Sequence, residues 1–428
     1  MKEINRTIPP KFKTIAKLCF TKAKEKKLAN NIPVYTINAG EQDILKIDIL
    51  FNAGEWYQDQ ALVSSSTVEL LQEGSAKFSA EDIAEKLDFM GSYVYYNAGK
   101  HTTGISIFTL SKYIDETLEI IEDSIKNPLF PEDNFATYTA KKKQQYAIEK
   151  QKVEVIAQKK YAQILFGANH PYGISHEPED FDNLSITDIK KFHKTYYTSE
   201  NCKIIISGNI KPEHFTILSQ RFGTPFGYSS GEKDYVREFA IAPSLEKTHY
   251  VEKPGAVQSA IRIGKLLVNK YNPDYPALQV LNTVLGGYFG SRLMSNIRED
   301  KGYTYGIGSG IVSHKTAGYF VVVTQVGQDV CEQAKQEIYY ELKKLRTETI
   351  PKEELETVKN YMKSTLARNF DGIFALSESF KTILEYDLTY SYYSRFWKTI
   401  QNITPSELKT LANTYLHEDS MYEIIAGS

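Results

Sequence analysis

The amino-acid sequence predicts a mixed α+β fold of two duplicated α/β sandwich domains, each a mostly antiparallel sheet packed with helices. Segments with strand and helix periodicity alternate along the chain. A stretch near the middle contains Gly, Ser and Pro and lacks helical periodicity. The 428 residues are enough for two domains. We therefore predict domains at residues 1–224 and 246–428, joined by a linker at residues 225–245.

Two pairs of similar segments indicate the duplication. Residues 185–208 and 404–427 both begin with a Ser or Thr helix start, continue as an amphipathic helix with a Thr-Tyr pair, and end as an apolar strand at Gly. Residues 127–135 and 347–355 both place a Pro at the first turn of a long polar helix. The members of the first pair are about 219 residues apart, and those of the second nearly the same. Duplication is therefore favoured over a chance likeness of helix starts.

The periodicity also predicts individual elements. In the first half these are a strand at 43–52, helices at 64–72 and 79–90, paired strands at 93–97 and 103–109, a helix at 114–126 and one long charged helix from about 131 to 166. In the second half a helix-like run at 292–298 precedes a Lys-Gly turn and a strand at 303–311. The lysines at 141–143 are interpreted as a solvated helix face.

Composition excludes several classes of function. The chain is 42% hydrophobic and 24% charged, with a net charge of −2, which argues against a nucleic-acid partner or a membrane-surface role. No apolar segment is long enough to span a membrane. The three cysteines are far apart in sequence, so no disulfide framework or thiolate metal site is predicted. We expect a cytoplasmic protein, although a periplasmic protein whose signal has been removed would have the same composition.

The candidate site lies in residues 285–305, LGGYFGSRLMSNIREDKGYTY. Arg298 and Tyr305 are seven residues apart, between a predicted helix end and the following strand. Arginine supplies a planar fork of donors and tyrosine one hydroxyl, so the two can converge on one oxygen of a bound peptide. The alternative interpretation is structural, with an arginine favourably placed at a helix C-terminus and a tyrosine suited to a strand.

This stretch resembles the second-half signature of the M16 metallopeptidases, which include pitrilysin-like and insulinase-like enzymes and the mitochondrial processing peptidases. First-half motifs agree: Glu73-Gly74-Ser75, Gly91 ahead of 93–97, and His170-Pro171-Tyr172-Gly173. The resemblance covers nearly the whole chain and implies one half of a clamshell. In the family, an Arg–Tyr pair faces a zinc across the cavity and supports the substrate carbonyl and the oxyanion. Arg298 and Tyr305 match that pair.

The zinc motif of active family members has no counterpart here. The motif is H-x-x-E-H, in which two histidines bind zinc and the glutamate activates water, and a further glutamate completes the ligands. Counted back from the glycine of the first-half motif, the positions hold Ser65, Val68 and Glu69, and the distant glutamate falls near Gln145. None of the eight histidines lies four residues from another, and the segment where the motif belongs contains none. The resemblance thus implies a chain that binds no metal or other cofactor itself.

These observations predict the non-metal-binding subunit of a heterodimeric M16-type zinc peptidase. A second chain carrying H-x-x-E-H would bind zinc, and this chain would supply Arg298 and Tyr305 to a peptide substrate. The resemblance also implies a minor substrate role for an edge strand at residues 95–98, in particular Tyr96, Asn97 and Ala98. Two alternatives stay open: an inactive scaffold subunit, and a homodimeric peptide-binding protein of the same fold.

Overall fold

The computed structural model describes Thr7 and residues 18–227 and 237–428. Two sheets, each packed against helices, contain eleven strands in this part of the chain. The strands are β1 (Lys24–Lys27), β2 (Pro33–Asn38), β3 (Ile44–Phe51), β4 (Tyr93–Ala98), β5 (Thr103–Leu110), β6 (Cys202–Gly208), β7 (Thr248–Glu252), β8 (Gln258–Leu267), β9 (Ile307–Ser313), β10 (Gly318–Gly327) and β11 (Tyr422–Gly427). The predicted α+β class is confirmed.

Fourteen α-helices and one π-helix surround the sheets in the described residues. The first-half helices are α1 (Val63–Glu69), α2 (Ala80–Met90), α3 (Ile114–Lys126), α4 (Glu132–Glu149), α5 (Val153–Phe166), α6 (Pro178–Asn183), α7 (Ile186–Tyr196) and α8 (Pro212–Phe222). The second-half helices are α9 (Tyr275–Leu285), α10 (Cys331–Thr347), α11 (Lys352–Arg368), α12 (Ile373–Glu385), α13 (Ser391–Asn402) and α14 (Pro405–Tyr415), with the π-helix at Met294–Asp300. No helix in the described ranges is both long and apolar enough to cross a membrane.

The strand orders confirm the duplication. The first sheet runs β1-β2-β6-β3-β5-β4 and the second β7-β11-β8-β10-β9, so the orders match strand for strand once β1 is set aside. Each sheet contains one parallel pair, β2 with β6 and β11 with β7, and its other pairs are antiparallel. A mostly antiparallel sheet in each half was the prediction.

The helices repeat in the same way. Helices α7 and α14 begin after Ser185 and Thr404, and each cap hydroxyl accepts a hydrogen bond from the backbone N–H three residues later. Helices α4 and α11 each follow a proline in the cap position, one residue before the helix. Both similarities found in the sequence therefore correspond to equivalent elements.

Each half contributes one helix to the sheet of the other half. Helix α5, from the first half, packs on β8 and β11 of the second sheet, while α12 packs on β6, β2 and β3 of the first. The buried Tyr161 of α5 donates a hydrogen bond to the backbone oxygen of Phe320, 2.8 Å away on β10. Burial of each large side chain in such a contact contributes about 1.5–3 kcal/mol. The two sheets are consequently joined by exchanged helices, and both main apolar cores contain residues from both halves.

Two predicted elements were wrong. The helix expected at 131–166 is two helices, α4 and α5, separated by a turn at residues 150–152 where Lys152 is extended. Helix α4 is polar and largely exposed, whereas α5 is buried against the second sheet, so one straight helix could not make both sets of contacts. The strand expected at 303–311 begins only at Ile307, because the preceding residues form a hydrogen-bonded loop. The helix-like run at 292–298 falls mostly in the π-helix.

The other predicted first-half elements are confirmed, and their ends differ from the prediction by no more than one residue. For the helix predicted at 64–72, this comparison counts the 3₁₀ turn Leu70–Gln72 together with α1. The predicted linker at 225–245 includes residues 228–236, which lie outside the described residues. The part from 237 to 245 contains no helix or strand. Ala242 and Ser244 donate backbone hydrogen bonds to the last turn of α5, at 3.1 and 2.8 Å. The domain boundaries themselves stay a prediction.

Candidate functional site

Arg298 and Tyr305 lie side by side. The Nε atom of Arg298 donates a hydrogen bond to the backbone oxygen of Tyr305 at 2.9 Å, and the guanidinium carbon lies 5.8 Å from the centre of the Tyr305 ring. Tyr305 is 93% exposed. Within the described part of the chain, neither the Nη atoms of Arg298 nor the Tyr305 hydroxyl forms a hydrogen bond. These donors are therefore available to a ligand.

The π-helix sets the position of Arg298. Its buried residue Ile297 anchors one side, and the backbone N–H of Tyr303 donates to the Ile297 oxygen at 3.0 Å. Gly302 then turns the chain with φ +66°, a left-handed conformation that favours glycine. Short π-helical segments recur at functional sites because the wider turn displaces one side chain from the ordinary helical row.

Hydrogen bonds from Thr304 fix the loop that carries Tyr305. The Thr304 hydroxyl donates to the backbone oxygen of Gln325 on β10 at 2.6 Å and accepts from the N–H of Gly306 at 3.1 Å. The Thr324 hydroxyl donates to the Thr304 hydroxyl at 3.0 Å. The loop backbone is thereby attached to the second sheet on both sides of Tyr305. Since Arg298 bonds to that backbone, the same contacts orient the arginine.

Phe289 is a third member of the site that sequence reasoning missed. Its ring is 64% exposed, and the Arg298 guanidinium carbon lies 4.7 Å from the ring centre. A cation over an aromatic face contributes about 0.5–1 kcal/mol at an exposed position. Phe289 is an aromatic residue between the glycines of the stretch that contains Arg298, but no sequence feature links it to the arginine.

The Tyr305 loop borders a cavity of about 510 Å³ on the second sheet. Arg262 of β8, Gln325 of β10 and Glu154 at the start of α5 also line it. A polar cavity next to free hydrogen-bond donors can accommodate part of an extended peptide.

The edge strand for which a substrate contact was predicted is separate from the Arg298–Tyr305 pair. Strand β4 is at the edge of the first sheet, as expected, and Asn97 and Ala98 line a separate cavity of about 440 Å³. The hydroxyl of Tyr96 is buried and has no hydrogen-bond partner among the described residues, and burial raises its pKa. Its side chain packs against the core. The two cavities share no lining residue, so the structure does not bring this strand together with Arg298 and Tyr305.

The residues at the zinc-motif positions do not fit the metal. The Ser65 hydroxyl donates to the backbone oxygen of Leu62 at 3.1 Å, Val68 is fully buried in the core, and Gln145 is exposed on α4. A catalytic zinc needs three N, O or S ligands around one point. Across the described ranges, no group of three or more His, Cys, Asp or Glu side chains could hold a metal ion.

Glu69 is paired with a lysine instead. Its carboxylate lies 2.5 Å from the Lys142 ammonium and accepts a hydrogen bond from the Tyr138 hydroxyl at 3.0 Å. Burial and then the charge of Glu69 raise the pKa of Tyr138, so the phenol stays protonated as the donor. The interpretation of residues 141–143 as a solvated face was therefore incomplete. Lys142 joins α4 to α1, and Lys143 pairs with Asp182 of α6.

Fold and site together define a class of protein: a two-sheet α+β chain that presents an Arg–Tyr pair beside a cavity and has no metal-ligand set in its described residues. Comparison with known proteins agrees with this class. Residues 183–362 match the family described as the peptidase M16 inactive domain. The resemblance to the M16 peptidases is thereby confirmed, and the matched segment is of the inactive-domain type.

Individual relatives have low sequence identity to this chain but align with a large part of it. An uncharacterized zinc protease of Rickettsia felis is 24% identical over 345 residues, which is 79% of this chain and 82% of the relative. The probable inactive metalloprotease YmfF of Bacillus subtilis is 20% identical over 275 residues, 62% of this chain and 63% of the relative. The crystal structure of a peptidase M16 inactive domain from Pseudomonas fluorescens superposes with a TM-score of 0.84 at 23% identity, covering 95% of this chain and 98% of that one. At this identity the structural likeness establishes the fold.

Proposed function

We propose that this chain is the non-metal-binding subunit of a heterodimeric M16-type zinc peptidase. The proposal rests on the Arg298–Tyr305 pair, whose Nη and hydroxyl donors have no hydrogen-bond partner in the described structure. The residues at the zinc-motif positions, in contrast, do not form a set of metal ligands. Donors at the surface bind water, which a ligand oxygen can replace without breaking a hydrogen bond of the fold. The π-helix and the fixed loop hold the pair in place. Its remaining donors are free and can form hydrogen bonds to an oxygen atom of a bound peptide.

The proposed role is to stabilise charge on the substrate. The Nη donors of Arg298 and the Tyr305 hydroxyl would bind the carbonyl oxygen of a peptide and hold it more strongly as negative charge develops. Preorganised donors of this kind are worth roughly 3–4 kcal/mol each when removed. The zinc of the partner subunit would activate the attacking water. This chain would contribute neither the metal nor the general base, because Val68 occupies the position of the base.

A second candidate is an inactive scaffold or peptide-binding protein of the same fold. The relative called a probable inactive metalloprotease favours it. The two candidates differ in what the pair does. A scaffold would tolerate loss of the Arg298 and Tyr305 side-chain donors, whereas a peptidase subunit would lose turnover.

The first experiment is to purify the chain at its native level from its own cells and identify what accompanies it. The proposal predicts a roughly equimolar protein of similar mass with H-x-x-E-H, about one zinc per pair, and peptide cleavage only when both chains are present. A chain that purifies alone, without zinc or cleavage, would support the second candidate. Zinc and cleavage in the isolated chain would contradict both.

A further inference from the structure

Arg262 lies in the Tyr305 cavity without a negatively charged partner. It is half-buried on β8, and it forms no ion pair with a carboxylate in the described part of the chain. In the described residues its one side-chain hydrogen bond is long, 3.5 Å from Nη2 to the side-chain oxygen of Gln158 on α5. Glu154 lines the same cavity but is not paired with Arg262 in the described residues. Burial lowers the pKa of Arg262, and the nearby rings of Tyr319 and Tyr161 only partly oppose this.

The duplication supplies an internal comparison. Arg262 is opposite Ile424 of β11, and Asp48 of β3 is opposite Ile205 of β6, the residue equivalent to Ile424. Asp48 and Arg262 therefore occupy corresponding positions in the two sheets. Each lies beneath the helix that the other half contributes, α12 over Asp48 and α5 over Arg262.

The two equivalent charges differ in how they are balanced. Asp48 is fully buried and lies 3.1 Å from the Lys46 ammonium and 3.2 Å from that of Lys381. It also accepts a hydrogen bond from Ser377 of α12 at 3.0 Å. At Arg262 the corresponding helix residue is the neutral Gln158, and no ion pair forms within the described residues. A partly buried charge without a counter-ion is unfavourable unless a ligand supplies one.

We propose that Arg262 binds a carboxylate of the peptide in the Tyr305 cavity and so selects acidic substrates. The group is an acidic side chain or the terminal carboxylate, either of which matches the guanidinium fork. This inference rests on the proposed function in one respect, namely that a peptide lies against Tyr305. The inference adds to that function a preferred class of substrate, acidic peptides, because a neutral peptide would leave Arg262 unpaired.

The test uses the full chain and unlabelled, N-acetylated octapeptides of Ala and Leu. The four peptides carry a central Glu or Gln and end in a carboxylate or an amide, and binding is measured by isothermal titration calorimetry. We expect at least one carboxylate peptide to bind wild type about tenfold more tightly than the neutral peptide. Arg262→Met, which keeps the apolar stem, should abolish that preference. Arg395→Met, at an exposed arginine of α13, is the matched control.

The outcomes separate this inference from the proposed function. A carboxylate preference that persists in Arg262→Met, or no preference in wild type, would overturn the role of Arg262. Loss of the preference in Arg262→Met would support the role of Arg262. If Arg298→Ala at the same time left binding and cleavage unchanged, the proposed function would be rejected while the role of Arg262 was retained. Thermal unfolding gives a second readout. An unpaired arginine predicts that Arg262→Met is at least as stable as wild type, whereas a clear fall in melting temperature would show a structural role and contradict the inference.

Discussion

The Nε atom of Arg298 and the backbone oxygen of Tyr305 are joined by a hydrogen bond of 2.9 Å. The bond uses one edge of the guanidinium and leaves the Nη donors free, while the Tyr305 ring extends into solvent from the same peptide unit. Arginine and tyrosine are therefore one structural unit. Whatever moves the loop backbone moves both side chains together.

The first prediction concerns that loop. Thr304→Val removes the hydroxyl that bonds to Gln325 and receives the Gly306 N–H, with little change in volume. We expect the free energy of unfolding to fall by about 1 kcal/mol in urea titrations, and turnover of the assembled pair to fall as well. Thr414→Val, on the exposed face of α14, is the control and should change neither quantity. Equal stability of the two variants would show that the Thr304 contacts do not hold the loop.

The second prediction concerns the buried charge of the first sheet. Burial tends to raise the pKa of Asp48, but Lys381 and Lys46 together lower it below its usual value, so the carboxylate is ionised. Asp48→Asn would leave the buried Lys46 with Glu378 as its only carboxylate partner in the described structure. We expect a loss of about 3–5 kcal/mol in the free energy of unfolding. Asp419→Asn, whose side chain is 85% exposed, should change it by less than about 0.5 kcal/mol.

The third prediction is a loss of stability in acid. Burial, followed by nearby positive charges that include Lys100, lowers the pKa of His101 and of His314 to about 4. The unfolded chain, with a histidine pKa near 6.5, binds protons that the folded chain excludes. The histidine contribution is therefore complete above about pH 6.5 and is lost as the pH falls from there towards 4.

Urea unfolding at a series of pH values measures this effect. At pH 5 each buried histidine should cost on the order of 1–2 kcal/mol relative to pH 7.5. His101→Gln, which can still hydrogen-bond to the Tyr172 hydroxyl, should reduce the pH dependence, while His417→Gln at an exposed position should not. Identical pH profiles for wild type and His101→Gln would contradict the assignment.

The fourth prediction follows from the exchanged helices. Fragments 1–231 and 232–428, expressed separately, should each lack the helix that covers their sheet, α12 in the first case and α5 in the second. We expect them to be insoluble or to unfold without cooperativity when alone, and to copurify as a soluble complex when expressed together. Cooperative unfolding of either isolated fragment would show that the halves are independent domains.

Much of the fold could be predicted because its signals are local. The helix caps at Ser185 and Thr404 and the prolines before α4 and α11 are short sequence features, and they revealed the duplication. The break between α4 and α5 was not predictable in this way. It depends on α5 packing against the second sheet, whose five strands in the described residues all come from the second half of the chain.

The site was only partly predictable for the same reason. The spacing of Arg298 and Tyr305 indicated their proximity, although the strand after them begins later than the alternation suggested. Phe289 was visible as an aromatic residue but had no sequence feature linking it to Arg298. Arg262 lies in a different strand from the Arg–Tyr stretch, and its lack of a carboxylate partner is a property of the folded structure alone.

The most direct test of the central claim is turnover by the reconstituted pair of this chain and its zinc-binding partner. Peptide cleavage is measured with wild type, Arg298→Ala, Tyr305→Phe and the control Arg395→Ala, with assembly checked by size-exclusion chromatography. The account predicts at least a tenfold loss of turnover for Arg298→Ala and Tyr305→Phe, with assembly intact and the control unchanged. Full turnover by Arg298→Ala and Tyr305→Phe in intact complexes would contradict it and leave the pair a structural role.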